Sequence, residues 1–341
     1  MNKMLIITGP TATGKTKLAL KLAKAFDGEL ISADSRQVYQ GMDIVTGKDI
    51  CNNAKFKIKN LKNRFPMSIC FWRNRLENDN LVIGFYEVEK VKIWGLDLVK
   101  PDQEFHVSAF VKITQNLIKD ILDRNKLPII IGGTAFYLKS LLNPPKTLNI
   151  AINKELRQEL DKLSLQELQE RLQDLNIQKW EQMNFSDRNN PRRLVRAIEV
   201  FLSGEDLAKN IQNSIFNDQG NIQNLIIGLK AEQEFLAKHI KQRVLKRLKQ
   251  GAIAETQKLL QKYKAELPSM SALGYKEIRQ FLDYKIKRQE LIEFWTLHES
   301  QYAKRQMTFM KKFEDITWFD ILQKDFDSQI KLLVQKFLKN D

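Results

Sequence analysis

The chain has 341 residues, 43% hydrophobic and 28% charged, so it can bury a sizeable core as two domains or as one domain with an insertion. Its formal net charge of +15 indicates a polyanionic partner, with nucleic acid ahead of an anionic membrane surface. Two cysteines without metal-ligand spacing and three histidines argue against a disulfide framework or a zinc site, and no apolar run approaches the roughly 20 residues that cross a bilayer.

The first predicted elements are a strand, a loop and a helix. Residues 4–8 form a short apolar run typical of a buried strand, and residues 15–26 carry apolar side chains at helical spacing. The loop between them matches G-x-x-x-x-G-K-[ST] at every fixed position and consists of Gly9, Pro10, Thr11, Ala12, Thr13, Gly14, Lys15 and Thr16. Such a loop turns backbone N–H groups toward phosphate oxygens at a helix N-terminus. We expect Lys15 to reach the outer phosphate oxygens and the Thr16 hydroxyl to ligate a magnesium ion, Mg²⁺.

Further strands are predicted at 29–33, 129–131, 225–229 and 316–319, with helical stretches between them. This alternation implies a parallel sheet with helices on both faces. Ligands of such sheets bind where the strands end, and Gly9, Asp34 and Gly132 all follow predicted strands. We therefore expect these segments to share one site.

Two segments interrupt the alternation of strands and helices. Residues 51–76 are basic and contain no acidic residue, and residues 146–210 are polar with leucines at helical spacing. The sequence thus predicts an α/β protein with a P-loop NTPase-like core, a parallel sheet flanked by helices. The core comprises 1–145 and 211–341, with a basic elaboration at about 50–95, and 146–210 forms a helical insertion domain.

Five segments in a fixed order point to a known family. After the phosphate loop comes Asp34-Ser35-Arg36-Gln37-Val38-Tyr39-Gln40-Gly41-Met42-Asp43-Ile44. The other segments are Lys126–Thr134 with Tyr137, Arg192-Arg193-Leu194-Val195-Arg196-Ala197-Ile198-Glu199-Val200, Ala272–Glu277 and Tyr302–Phe309. Together they resemble the signatures of the tRNA dimethylallyltransferases, also called tRNA isopentenyltransferases. The resemblance runs from residue 4 to about 320 and omits roughly 50–95.

Two segments depart from the pattern of the bacterial family. Its G-T-A-K-P stretch is replaced by Val45-Thr46-Gly47-Lys48-Asp49, and its H-H-L-I-D stretch by Ile93-Trp94-Gly95-Leu96-Asp97. A basic segment of about forty residues separates the two. These departures concern local contacts with the substrates and leave the implied reaction unchanged.

The resemblance implies transfer of a dimethylallyl group from dimethylallyl diphosphate to the exocyclic N6 of an adenosine beside the tRNA anticodon, with release of diphosphate. Asp34 would act as the general base for this weak nucleophile, although a carboxylate there also suits a second-shell Mg²⁺ contact or a helix cap. Arg243 resembles the family's diphosphate-binding arginine, with a solvated arginine on a basic helix as the alternative. Thr134 would hydrogen-bond near the reacting centre, or else simply be a turn threonine.

The partner that the resemblance implies is the anticodon stem-loop of tRNA. Asp34, Ser35, Arg36 and Gln37 resemble the residues that hold the target base, which must be flipped out of its stack. Arginines of the helical insertion are predicted to contact tRNA: Arg157, Arg192, Arg193 and Arg196. We expect a cytoplasmic monomer that acts away from membranes.

Three other functions remain open on the residues alone. A P-loop small-molecule kinase would explain the loop and Asp34 but neither the net charge nor the arginines at 192–196. A prenyltransferase acting on free adenylate would share the loop and Asp34. A non-enzymatic RNA-binding protein would not need Lys15 and Asp34 together.

Overall fold

The computed structural model describes residues 2–48, 55–61, 76–77, 80–148, 150–204 and 222–339. They fall into two compact units, one formed by 1–142 with 220–341 and the other by 143–219. Most of the basic segment 51–76, with both cysteines, lies outside the described residues. No helix among the described residues is long and apolar enough to span a bilayer.

The larger unit is built on one sheet. Its strands are β1 Lys3–Thr8, β2 Gly28–Ser32, β3 Lys55–Leu61, β4 Leu76–Glu77, β5 Asn80–Val88, β6 Val91–Trp94, β7 Leu127–Ile131, β8 Gln223–Lys230 and β9 Ile316–Asp320. Their spatial order is β3-β5-β6-β2-β7-β1-β8-β9, with β4 beside β5. From β6 to β9 neighbouring strands run parallel, whereas β3, β4 and β5 pair antiparallel. The predicted α/β class is confirmed, and the antiparallel extension falls in the region that the resemblance omits.

The helices follow the strands as the periodicity predicts. They are α1 Lys15–Ala25, α2 Val107–Asp123, α3 Ala135–Leu142, α4 Lys154–Leu160, α5 Leu165–Leu175, α6 Ile177–Gln182, α7 Phe185–Arg188, α8 Pro191–Leu202, α9 Gln233–Lys249, α10 Ala252–Leu260, α11 Tyr275–Leu282, α12 Arg288–Met310 and α13 Phe326–Lys339. A 3₁₀ turn at Pro268–Ser271 precedes α11. Helices α4 to α8 form the smaller unit.

The core of the larger unit lies between the central strands and their covering helices. Every residue of β1, β2 and β7 is buried, as expected for parallel strands covered on both faces. Leu5, Leu30 and Ile129 pack there with Leu22 of α1 and Ile330 of α13. This rigid core fixes the ends of the three strands from which the site is built.

The smaller unit has an apolar core of its own. Leu160, Leu168 and Leu172, which carry the predicted helical period, pack against Leu194 and Ile198 of α8. An amphipathic helix buries one stripe of apolar residues spaced three or four apart, which is why leucine spacing was informative here. The unit spans 143–219, where the sequence-based limits are 146 and 210.

Candidate active site

The phosphate loop connects β1 to α1 and depends on glycine at two points. Gly9 has φ +142°, and a Cβ there would lie 2.4 Å from the carbonyl oxygen of Leu229 on neighbouring β8. Gly14 has φ +78° and immediately precedes α1. Side chains would be strained in both conformations, so the loop requires the two glycines that define the motif.

Lys15 begins α1, and its ammonium group turns back over the loop. It donates a hydrogen bond to the carbonyl oxygen of Pro10 at 2.7 Å, and the Thr13 hydroxyl donates to the same oxygen at 2.9 Å. Burial and the positive charge of Arg243 lower the pKa of Lys15 to about 7, against the opposing effect of Asp34. An anion bound beside this lysine would restore its proton, because a nearby negative charge favours the ammonium form.

Arg243 reaches the phosphate loop from α9. Its Nη1 donates to the Thr11 hydroxyl at 2.7 Å, although the two residues are 232 positions apart. The structure thus brings Arg243 to the loop and its charge close enough to perturb Lys15. A solvated arginine on a basic helix, the alternative offered by the sequence, would not make this contact with Thr11.

Asp34 follows β2, which is separated from β1 by β7 alone. Its Oδ1 accepts a hydrogen bond from the backbone N–H of Arg36 at 2.8 Å, which fixes the carboxylate against its own turn. The charge of the Asp34 carboxylate acts on other residues of the site. Burial and then the charge of Asp34 raise the pKa of Tyr302 to about 12. The same charge partly offsets the lowering of the Lys15 pKa by burial and by Arg243.

Thr134 lies just beyond β7, between the ends of β1 and β2. Its Oγ1 accepts from the backbone N–H of Ser35 at 3.1 Å, which ties the turn after β7 to the turn after β2. Gly132 is needed here because a Cβ would lie 2.2 Å from the carbonyl oxygen of Ala33. The backbones after β2 and β7 therefore approach so closely that Thr134 stands beside Asp34-Ser35.

Two residues of α12, Tyr302 and Gln306, complete this arrangement. In the sequence they are recognisable only as part of the Tyr302–Phe309 signature. Gln306 accepts from the backbone N–H of Thr11 at 3.0 Å and donates to the carbonyl oxygen of Gly133 at 2.8 Å. The Tyr302 hydroxyl lies near the side chains of both Thr134 and Gln306. Gln306 thus links the phosphate loop to the Gly133–Thr134 turn. The four-residue spacing of Tyr302 and Gln306, one helical turn, is the signal in the sequence that places them on one face.

The residues after Asp34 are held by contacts on both sides. The guanidinium of Arg36 donates to the carbonyl oxygen of Pro268 at 2.7 Å and to the Ser271 hydroxyl at 3.3 Å. Gln37 donates from Nε2 to the carbonyl oxygen of Gly47 at 3.0 Å and accepts from the Ser32 hydroxyl at 3.3 Å. Arg36 and Gln37 therefore join the turn after β2 to two other segments.

The two segments that depart from the family pattern meet in the structure. Lys48 is buried, donates to the carbonyl oxygen of Tyr39 at 2.7 Å and pairs with both Asp43 and buried Asp97. The Tyr86 hydroxyl donates to the same Asp97 carboxylate, and burial together with that carboxylate raises the pKa of Tyr86. These contacts join Lys48, before the extension, to Asp97, which follows β6.

The predicted tRNA-contacting arginines lie in the smaller unit. Arg157 donates to the Glu199 carboxylate from Nε at 2.9 Å and from Nη2 at 2.7 Å, and Arg196 contacts it at 2.5 Å. Burial tends to raise the pKa of Glu199, but these hydrogen bonds hold it below its usual range. Arg193 pairs with Asp187, and Arg192 is exposed at the start of α8. Arg157 and Arg196 thus both bind the buried Glu199 carboxylate inside the smaller unit.

Thr16, the predicted Mg²⁺ ligand, is the second residue of α1. Among the described residues, no three His, Cys, Asp or Glu side chains are grouped to hold an ion. Mg²⁺ is often bound by one or two protein oxygens together with substrate phosphates and water, and a lone threonine hydroxyl at a phosphate loop fits that pattern.

Comparisons with known proteins cover nearly the whole chain. The IPP transferase family model matches residues 85–313, and the isopentenyl transferase family model matches residues 2–61. The chain is 33% identical to a tRNA dimethylallyltransferase of Clostridioides difficile, over 99% of this chain and 97% of that protein. It is 32% identical to a tRNA dimethylallyltransferase of Halothermothrix orenii, over 98% of this chain and 93% of that protein.

Solved structures agree with these relatives. A tRNA isopentenylpyrophosphate transferase of Staphylococcus epidermidis matches with a TM-score of 0.62 and 30% identity, over 98% of this chain and 99% of that one. The corresponding protein of Bacillus halodurans matches with a TM-score of 0.63 and 28% identity, over 99% and 96%. A eukaryotic dimethylallyltransferase acting on tRNA shares the fold, with a TM-score of 0.73 at 24% identity over 99% of this chain and 80% of that one.

Proposed function

The chain belongs to the IPP transferase family, and we propose that it is a tRNA dimethylallyltransferase. It transfers the dimethylallyl group of dimethylallyl diphosphate to N6 of the adenosine adjacent to the anticodon and releases diphosphate. The observation that carries this proposal is the convergence of the phosphate loop, Thr134 and Asp34 at the ends of neighbouring strands β1, β7 and β2. A phosphate-binding loop after β1 and a carboxylate after β2, with β7 alone between them, suit a reaction that expels diphosphate while an amine loses its proton.

The donor side of the reaction is the phosphate loop. As the bond between the allylic carbon and the diphosphate oxygen breaks, negative charge accumulates on the leaving group. The loop amides, Lys15 and Arg243 would stabilise that charge, and Arg243 already contacts the loop through Thr11. Thr16 would hold Mg²⁺, which when bound supplies further charge neutralisation to the diphosphate oxygens.

The acceptor side is the turn after β2. An exocyclic amine is a weak nucleophile, so a carboxylate that takes its proton as the carbon–nitrogen bond forms lowers the barrier. Asp34 would take that proton through Oδ2, since its Oδ1 accepts from the Arg36 N–H. Thr134 would orient the acceptor beside it. The bond formed is N6–C, the bond broken is C–O, and the proton ends on Asp34.

Recognition of tRNA requires the adenine to leave its stack and enter this site. Ser35, Arg36 and Gln37 would hold the flipped base, since they follow Asp34 and are themselves held by contacts with Thr134, Pro268 and Gly47, respectively. Arg157, Arg192, Arg193 and Arg196 would contact the anticodon stem-loop, where phosphate contacts supply most of the affinity. The net charge of +15 fits a polyanionic substrate.

A single assay tests the proposal against its rivals. The protein is incubated with labelled dimethylallyl diphosphate, Mg²⁺ and either unmodified tRNA or AMP, and a tRNA with guanosine in place of the adenosine beside the anticodon serves as control. Label in the unmodified tRNA alone supports the proposal. Label in AMP indicates an adenylate prenyltransferase, and phosphoryl transfer from ATP with no prenyl transfer indicates a kinase.

A further inference from the structure

Glu255 of α10 lies outside the segments that resemble the family, yet three consecutive backbone N–H groups converge on it. Its Oε2 accepts from the N–H of Asp43 at 3.0 Å and of Ile44 at 2.7 Å, and its Oε1 accepts from the N–H of Val45 at 3.1 Å. The hydroxyl of buried Tyr275 donates to Oε1 at 2.7 Å. Successive N–H groups of this kind form an anion-binding concavity, which here is filled by a side chain of the protein itself.

The segment held in this way ends at Gly47, which touches both sides of the site. The backbone N–H of Gly47 donates to the carbonyl oxygen of Ile44 at 3.1 Å, so the position of Gly47 follows from that of the amides bound to Glu255. The carbonyl oxygen of Gly47 accepts from Gln37, next to the base-holding turn. Holding residues 43–45 in place therefore also holds the Gly47 carbonyl oxygen, to which Gln37 of the acceptor side donates.

The other face of Gly47 lies against the donor side. A Cβ at Gly47 would lie 3.1 Å from Nη2 of Arg243 and 2.3 Å from Nη2 of Arg247, and its φ of +65° favours glycine. The opposite end of the Arg243 guanidinium donates to Thr11 of the phosphate loop. The backbone of Gly47 thus lies close to the guanidinium that contacts the phosphate loop.

We propose that Glu255 is a positioning residue that aligns the donor and acceptor sides through the 43–47 segment. It acts through this segment rather than on a substrate, and its role rests on the proposed function. The carboxylate supplies two acceptor oxygens to four donors, which an amide cannot do, because its NH₂ group would face N–H groups. Glu255→Gln should therefore loosen the segment while keeping the side chain's size.

The test compares Glu255→Gln with Thr256→Val in the full-length protein. Thr256 is the next residue of α10, is fully buried, and its hydroxyl donates within the helix to Ala252, so its variant perturbs the same helix without touching the segment. We expect Glu255→Gln to lower kcat/KM for dimethylallyl diphosphate by about tenfold, the effect of losing a charge-assisted acceptor. Thr256→Val should keep the wild-type kcat/KM. A wild-type value for Glu255→Gln, or an equal loss in both variants at similar Tm, would overturn the proposal.

A double-mutant cycle separates positioning from a general loss of stability. Gln37→Ala removes the contact through which the segment acts on the acceptor side, so its effect on the KM for tRNA and that of Glu255→Gln should be less than additive. Full additivity would refute the route through Gly47. If Glu255→Gln does not fold, Tyr275→Phe removes one of the four hydrogen bonds and should lower kcat/KM by about threefold; no change there would also count against the proposal.

The outcomes for the two proposals are distinguishable. If the wild-type protein labels no tRNA, the proposed function fails. If the wild-type protein labels tRNA and Glu255→Gln does so equally well, the inference about Glu255 fails while the function stands.

Discussion

Binding of dimethylallyl diphosphate should be accompanied by uptake of a proton by Lys15. In the free protein, burial and the charge of Arg243 lower the pKa of Lys15 to about 7. A bound diphosphate places several negative charges next to the ammonium group, which raises the pKa of Lys15 well above that value. Above neutral pH the free lysine is largely uncharged, so binding must draw a proton from solution.

The size of this effect follows from the free pKa. At pH 8 about one tenth of the free Lys15 side chains carry the proton, so binding takes up about 0.9 proton; at pH 6 the uptake is about 0.1. The sign is fixed, because the bound state holds more protons than the free state. The Kd for the donor should therefore rise by nearly tenfold for each pH unit above about 7.5.

Calorimetric titration in two buffers of different ionisation enthalpy measures the uptake directly. The donor's own terminal phosphate releases rather than takes up protons when bound near pH 6, so uptake at pH 8 is not its contribution. Lys17→Arg, an exposed neighbour in α1, should leave the uptake unchanged, whereas Lys15→Arg should abolish it because arginine stays charged. Equal enthalpies in both buffers at pH 8 for the wild-type protein would refute the reasoning.

Three further changes test other parts of the site and the smaller unit. Asp34→Asn should lower kcat by about 100-fold or more while the Kd for tRNA stays within about twofold, and a matching loss of binding would instead indicate a structural role. Gln306→Leu leaves the Thr11 N–H and the Gly133 carbonyl without their partner, so the KM for the donor should rise by about tenfold; an unchanged KM would contradict the link. Glu199→Gln should destabilise the smaller unit by about 3 kcal/mol in urea titrations at pH 7. Because the pKa of Glu199 is lowered in the folded state, this difference should shrink as the pH falls through that pKa, and a constant difference would speak against it.

Local patterns in the sequence predicted the parts of the site whose residues are contiguous, whereas Thr134 and Arg243 were predicted from the family resemblance. Gly9–Thr16 and Asp34–Gln37 follow single strands, so a local pattern of strand, turn and helix places them at the edge of a parallel sheet. The leucines of the smaller unit were predictable for the same reason, because helical spacing alone puts Leu160, Leu168 and Leu172 on buried faces.

The unpredicted contacts join residues far apart in the chain. Gln306 meets Thr11 across 295 positions, and Glu255 meets Asp43 across 212. Nothing in the local sequence of a polar helical residue says which distant amide it will accept from, because the packing of α10 and α12 decides that. The pairing of Lys48 with Asp97 was hidden in the same way, since each lies in a segment that departs from the family pattern.

The order β2-β7-β1 explains how a carboxylate and a diphosphate can serve one reaction without repelling each other from the site. Neighbouring strands are about 4.8 Å apart, so the ends of β2 and β1 are separated by about 10 Å, with β7 between them. That distance accommodates an allylic group between Asp34 and the phosphate loop. Lys15 and Arg243 lie on the loop side, where they offset the diphosphate charge, and Thr134 occupies the strand end between the two anions.

A base held directly against the phosphates would gain a proton from their field and lose its capacity to accept one from N6. The strand order therefore sets the chemistry as much as the residues at the strand ends do.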